Sequence, residues 1–123
     1  MTFVIREGDT TSTGGMVLKT SASQVWEERR LACMGDPVWC AACQRIGFIA
    51  QGNPTYIDQI TAVATDGQIV RCDCPDGSHR LLSSQDQLKA DLEATIDIPA
   101  DLADRARKRA KQLMKAMQQN PEP

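Results

Sequence analysis

Gly35-Asp36-Pro37-Val38-Trp39-Cys40 and Gly67-Gln68-Ile69-Val70-Arg71-Cys72 lie 32 residues apart and align on their glycine and their cysteine. The same shift puts Val25 on Ile57, Leu31 on Val63 and Ala32 on Ala64, and sets Thr20-Ser21-Ala22-Ser23 on Gly52-Asn53-Pro54-Thr55. A degenerate third copy opens the chain as Gly8-Asp9-Thr10-Thr11-Ser12-Thr13. The unit is Gly-Asp, three residues, and a position held by Thr13, Cys40 or Cys72, followed by a strand, a turn and another strand. Apolar positions that repeat in one register predict copies that pack on one another, because strands this short cannot stand alone. Each glycine is expected to open a tight turn at positive φ, with the aspartate accepting hydrogen bonds from the turn backbone. Asp9, Asp36 and Asp66 therefore read as structural rather than as acids or bases. Gln68 replaces the aspartate of the third copy and is expected to remove an acceptor. Ile57, Ile60, Val63 and Ile69 are expected to face inward.

Working outward, residues 1–85 are rich in Ser, Thr, Gly and β-branched residues, whereas 86–123 contain no glycine and are dominated by Ala, Leu, Lys, Arg, Gln and Met. Composition thus divides the chain into a β-repeat domain over 1–85 and a helical extension over 86–123. Ser84-Gln85-Asp86 is expected to cap a first helix running through Glu93. A second is expected from about Pro99 to Gln118, with Leu102, Ala106, Ala110, Leu113 and Met117 on one face and six basic residues around the rest. Breaks are read at Pro99 and over Pro121–Pro123. That second helix reads as lying on the body or on a copy of itself, as a partner-binding helix, or as a nucleic-acid or membrane helix. A net charge of −2 gives the whole molecule no basic footprint for nucleic acid or an anionic membrane. No apolar run approaches the roughly 20 residues that span a bilayer. Met1-Thr2-Phe3-Val4-Ile5-Arg6-Glu7 is not a signal peptide, so a reducing cytoplasm is expected.

The five aromatic residues make a thin core for a β body of this size, and a staple is expected. Cys40-Ala41-Ala42-Cys43 is a C-x2-C knuckle, Cys72-Asp73-Cys74 a C-x-C, and His79 is the only histidine. Two cysteines three apart on a turn point to one centre, and two cysteines two apart on a strand share a face. Zinc takes four such ligands in a tetrahedron. Cys40, Cys43, Cys72, Cys74 and His79 offer a surplus, enough to close a structural site with no position left for catalytic water. Free buried cysteines, a redox dithiol and a disulfide are the other readings, and the strand-like Ile46-Gly47-Phe48-Ile49 after Cys43 argues against a helix-opening dithiol. Cys33 reads as core. No nucleophile elbow, phosphate loop or H-E-x-x-H is present, so no enzyme is expected.

Gly-Asp turns leading to a cysteine, with strand-turn-strand between them, resemble the PAAR-repeat proteins of type VI secretion. The matches are Gly8-Asp9, Gly35 to Cys40, Gly52-Asn53-Pro54-Thr55 with Ile57-Asp58, and Cys72-Asp73-Cys74-Pro75, over about residues 3–84. The resemblance implies a cone-shaped, mainly β domain of three degenerate repeats with one structural zinc near the tip. It implies a broad base seated on a trimeric valine-glycine-repeat (VgrG-type) spike, no catalysis, and effectors carried fused or bound. It also implies assembly in a bacterial cytoplasm and export with the spike. Two departures stand out: Arg30-Leu31-Ala32-Cys33 and Ala62-Val63-Ala64-Thr65 replace the name-giving Pro-Ala-Ala-Arg, and Thr13 stands where the family often has a metal-binding histidine. Cys40, Cys43 and Cys72 match ligand-type positions. Cys74 is the expected fourth ligand, with His79 as the alternative. Residues 86–123 lie outside the resemblance, and a docking helix for an effector, adaptor or chaperone is expected there, with no nucleic acid and no membrane insertion. The rival reading is a zinc-ribbon adaptor that uses the basic helix from Leu102 to Gln118.

Overall fold

The three turns marked by glycine are built by the same hydrogen bonds. Gly8, Gly35 and Gly67 have φ of 88°, 90° and 87°, a conformation that costs a residue without a Cβ little. The side chains that follow cap the backbone three residues upstream. Asp9 Oδ2 accepts from Arg6 N–H, Asp36 Oδ2 from Cys33 N–H and Gln68 Oε1 from Thr65 N–H, each at 2.8 Å. Gln68 therefore keeps the acceptor that its replacement of aspartate was expected to remove: its amide oxygen occupies the carboxylate's place.

The computed structural model describes residues 2–119; the break read over Pro121–Pro123 lies outside them. The chain is mainly β. Its strands are β1 Thr10–Thr11, β2 Met16–Val17, β3 Val25–Trp26, β4 Arg29–Arg30, β5 Pro37–Cys40, β6 Arg45–Ile49, β7 Gln51–Asp58, β8 Thr61–Val63, β9 Val70–Arg71, β10 Leu81–Leu82 and β11 Ile96–Asp97, followed by helix α1 Ala100–Gln119. Six strands form an antiparallel sheet in the order β10-β1-β2-β5-β6-β9. A bridge between Ile69 and Arg80 brings its two ends together, so the sheet is nearly closed. Across the seams Val17 faces Val38, Ile49 faces Val70 and Leu81 faces Thr11, one equivalent pair for each repeat.

Below each turn the chain contributes one side of a triangle. Ile5 N–H donates to Ala64 C=O (2.9 Å), Ala64 N–H to Ala32 C=O (2.8 Å) and Ala32 N–H to Ile5 C=O (2.9 Å), a cycle of three bonds around a pseudo-three-fold axis. Side chains alternate across these segments. Ile5, Ala32 and Ala64 enter a core with Val17, Val38, Ile49, Val70 and Leu81, whereas Val4, Leu31 and Val63 enter a second core with Ala22 and Cys33 on the other side of the triangle.

Two sides of the triangle are hairpins, β3–β4 and β7–β8. The third is made from distant parts of the chain: Phe3 bridges Lys89, Val4 N–H donates to Leu88 C=O (3.0 Å) and Ala90 N–H to Thr2 C=O (2.9 Å). Residues 84–93 consequently form no helix. Gln85 accepts from the backbone of Gln87 and Leu88 and donates to Val4 C=O, which ties this bend to the N-terminal segment. The composition boundary at residue 85 runs through this third side. Ile57 and Ile60 are exposed (47% and 96%), not inward-facing as expected, whereas Val63 is buried and Ile69 partly so. A register shift between Asn53 and Ile57 reverses which alternate side chains of β7 face the core.

The second expected helix is α1. Ala103 N–H donates to Pro99 C=O (2.9 Å), and Asp101 lies in the first turn, where it complements the dipole. Ala103 and Ala106 pack with Leu102 onto Met34, Phe48, Ala50, Ala62 and Ile98. Three buried alanines, Ala103, Ala106 and Ala110, let the helix approach the sheet closely. Met117, expected on the apolar face, is 55% exposed.

Candidate metal centre

The position shared by the repeats falls at the tips of three hairpins. The first turns back tightly, with Thr11 N–H bonded to Gly15 C=O (3.1 Å), and leaves Thr13 at its tip. In the second, β5 runs on to Cys40, which pairs with Arg45, and residues 41–44 make the knuckle, with Gln44 at φ 54° closing it. The third continues past β9 through Cys72, Cys74 and His79 before β10 begins. Backbone approach fixes the spacing between tips. A Cβ on Gly47 would lie 2.2 Å from Arg71 C=O and 2.8 Å from Cys72 Cβ, so only glycine lets the second hairpin lie against the third here.

Cys40, Cys72, Cys74 and His79 bring one ligand atom each to within 4.8 Å of all the others. Cys40 Sγ is 3.9 Å from Cys74 Sγ and 3.3 Å from His79 Nε2. A tetrahedral ion with Zn–S near ~2.3 Å and Zn–N near ~2.0 Å separates sulfurs by about 3.8 Å and a sulfur from a nitrogen by about 3.5 Å. The soft, largely sulfur donor set and its spacing fit one such ion. Cys43 stands outside this group of four, although its thiol lies near enough to shift those of Cys40, Cys72 and Cys74. All five residues singled out in the sequence are thus at one place.

The surroundings orient these donors. His79 is 4% exposed, and its Nδ1 is hydrogen-bonded to Thr13 Oγ1, leaving Nε2 toward the sulfurs. A second-sphere oxygen on the far ring nitrogen selects the tautomer a metal needs. Thr13, which stands where a ligand was expected, therefore orients His79, one of the four residues that could hold a metal. Burial pushes the Cys40 thiol up, but hydrogen bonds from the Cys43 and Ala42 backbone and the Cys43 and Cys72 thiols outweigh it, and the net shift is down. Cys72 is raised, first by burial and further by the neighbouring thiols, although Cys74 N–H reaches its sulfur at 3.4 Å. Cys74 is raised too, first by burial and further by the Cys40 and Cys43 thiols, against a lowering by that of Cys72.

Cys33 lies 2% exposed in the second core, where burial and then Asp36 and Asp58 push its thiol up; it takes no part in this centre. The link from Thr13 to His79 spans 66 residues. The register that put Thr13 beside Cys40 and Cys72 was its only sequence signal.

A family model described as the PAAR motif matches residues 7–75. Comparisons with curated proteins and with solved structures give no match. The match covers all three glycine turns and the cysteines Cys40, Cys43, Cys72 and Cys74, and, at more than half of its length, the chain belongs to the PAAR-motif family.

Proposed function

We propose that this chain is the non-enzymatic tip of a type VI secretion spike, seated on a trimeric valine-glycine-repeat spike protein and helping to carry effectors. The family is one of spike-tip proteins rather than enzymes. The observation that carries the reading is the hydrogen-bonded triangle of Ile5, Ala32 and Ala64. A single chain with three quasi-equivalent sides can offer near-identical patches to three identical subunits. The face away from the hairpin tips, where Val4, Leu31 and Val63 point, is the natural seat. Val25 and Ile57 occupy one repeat position on two sides, Ile60 and Leu92 another, and all four are at least 47% exposed. Apolar side chains so placed call for a covering partner.

In this reading one zinc ion is held by Cys40, Cys72, Cys74 and His79, with Cys43 as the alternative to His79. It ties the second and third hairpin tips together and, through Thr13, fixes the first. Its chemistry is structural: pulling the tip apart means losing metal-binding free energy of about 10 kcal/mol or more. Assembly takes place in a bacterial cytoplasm, and export occurs with the spike. The test is native mass spectrometry with metal analysis on a mixture with the matching spike trimer. One zinc per chain and one chain per trimer are expected; zinc without trimer binding would overturn the spike-tip reading.

A further inference from the structure

Between α1 and the second and third hairpins runs a groove of about 670 Å³ whose walls carry five cationic side chains and two carboxylates. This excess of positive charge sits on a molecule of net charge −2. Asp73 is paired with Arg45 at 3.0 Å. Asp76 approaches Arg71 Nε only to 3.8 Å, and that buried nitrogen has no hydrogen-bond acceptor. The guanidinium groups of Arg71 and Arg107 both lie over the Phe48 ring, 6.0 and 5.6 Å from its centroid. Arg107 is paired with Asp104 one turn away on its own helix at 2.9 Å, an exposed contact, so the unsatisfied donor between helix and sheet is Arg71 Nε. Lys111 and Lys115, exposed one helical turn apart on the same wall, make no ion pair among the described residues. The remaining wall is apolar, with Met114 half-buried on the helix above Ile46 and Phe48.

We propose that this groove binds an acidic, amphipathic peptide segment of a partner protein, carboxylates on Arg71, Arg107, Lys111 and Lys115 and an apolar side chain against Phe48 and Met114. Charge complementarity selects the acid, and the apolar wall favours a peptide over a bare polyanion. The proposal rests on the cargo-carrying part of the reading above and not on the seating of the triangle.

The probe is a short fluorescein-labelled peptide alternating Glu and Leu with one Phe, followed by fluorescence anisotropy on the zinc-loaded chain. Saturable binding is expected, weakened about tenfold or more by Lys111→Glu with Lys115→Glu and to a lesser degree by the corresponding glutamines. An all-Glu peptide of equal charge is expected to bind less tightly. Absence of saturable binding, equal affinity in the variants, or tighter binding of a single-stranded oligonucleotide of equal charge would each overturn the proposal. Unchanged melting of the variants shows that they fold. Native mass with the spike trimer, read on the same variants, separates failure of the groove from failure of the spike-tip reading.

Discussion

Arg109, on the C-terminal helix, places its guanidinium 3.5 Å from the buried carboxylate of Asp36 in the second repeat turn. In the first turn the same service comes from Arg29, which pairs with Asp9 inside the body, and in the third Gln68 carries no charge and contacts Thr95 instead. The helix is thus tied to the repeat by charge as well as by its alanines.

Burial raises the Asp36 carboxyl above the usual carboxylate range, while bonds from Ser21 and Cys33 and the charge of Arg109 pull it back. A carboxyl that holds its proton more tightly folded than unfolded opposes the fold at neutral pH and regains stability as pH falls through its raised value toward the ordinary one. Arg109→Ala is expected to cost about 0.5–1 kcal/mol at neutral pH, the guanidinium being partly solvent-screened. That cost should shrink on acidification. In an Asp36→Asn background, urea unfolding should show neither the cost nor its pH dependence.

Thr13→Val keeps the shape of the first tip and removes the oxygen from His79. Zinc affinity, read by competition with a chromophoric chelator, is expected to fall about 10–100-fold, and Thr13→Ser should restore most of it. His79→Ala should cost more than Cys43→Ala; the reverse order would move the fourth ligand to Cys43.

Removing the metal with a chelator should leave the triangle and its buried cores folded and free the tips. Proteolysis is expected within 41–44 and 73–78 first. Melting should fall by about 10 °C or more, as a loss of several kcal/mol implies for a domain of this size.

Gly47→Ala inserts a methyl against Arg71 C=O and Cys72 Cβ. A loss of about 1–3 kcal/mol is expected, as for overpacking, together with weaker zinc binding because Cys72 must move. Equal zinc affinity in the variant would show that the hairpins adjust without moving the ligands.

Ile60, 96% exposed, should tolerate Asp with no change in melting. Capture of the variant by the spike trimer, read by native mass, is expected to drop about tenfold or more, since a charge would be buried without a partner. Unchanged capture would move the seat away from this hairpin.

The repeat was legible because positive φ leaves a sequence mark. Glycine at 8, 35 and 67 fixes the register, and the register alone brought Thr13, Cys40 and Cys72 to one place. What was illegible was non-local. Ser84-Gln85-Asp86 has the chemistry of a helix cap, yet the partner that decides the fate of residues 88–90 is the extended segment at residues 2–4. Local propensity carries no information about such a pairing. Ile57 faces outward for a related reason: the irregular stretch after Asn53 shifts the phase of alternation without any glycine to announce it; Ile60 is exposed because it sits in the turn between β7 and β8. Gln68 shows the converse, since an amide oxygen can do geometrically what a carboxylate does.

The triangle that joins Ile5, Ala32 and Ala64 also dictates an order of events during synthesis. Ile5 leaves the ribosome first, but both of its backbone partners in the cycle come later, and the strand beside it waits for Leu88 and Lys89. No side of the triangle is complete in hydrogen bonds until the others exist, so a partial chain lacks backbone partners on each side it has made. Closure is thus expected to come late and to be slowed by the long stretches of chain it must bring together, leaving the nascent cysteines accessible to metal until then.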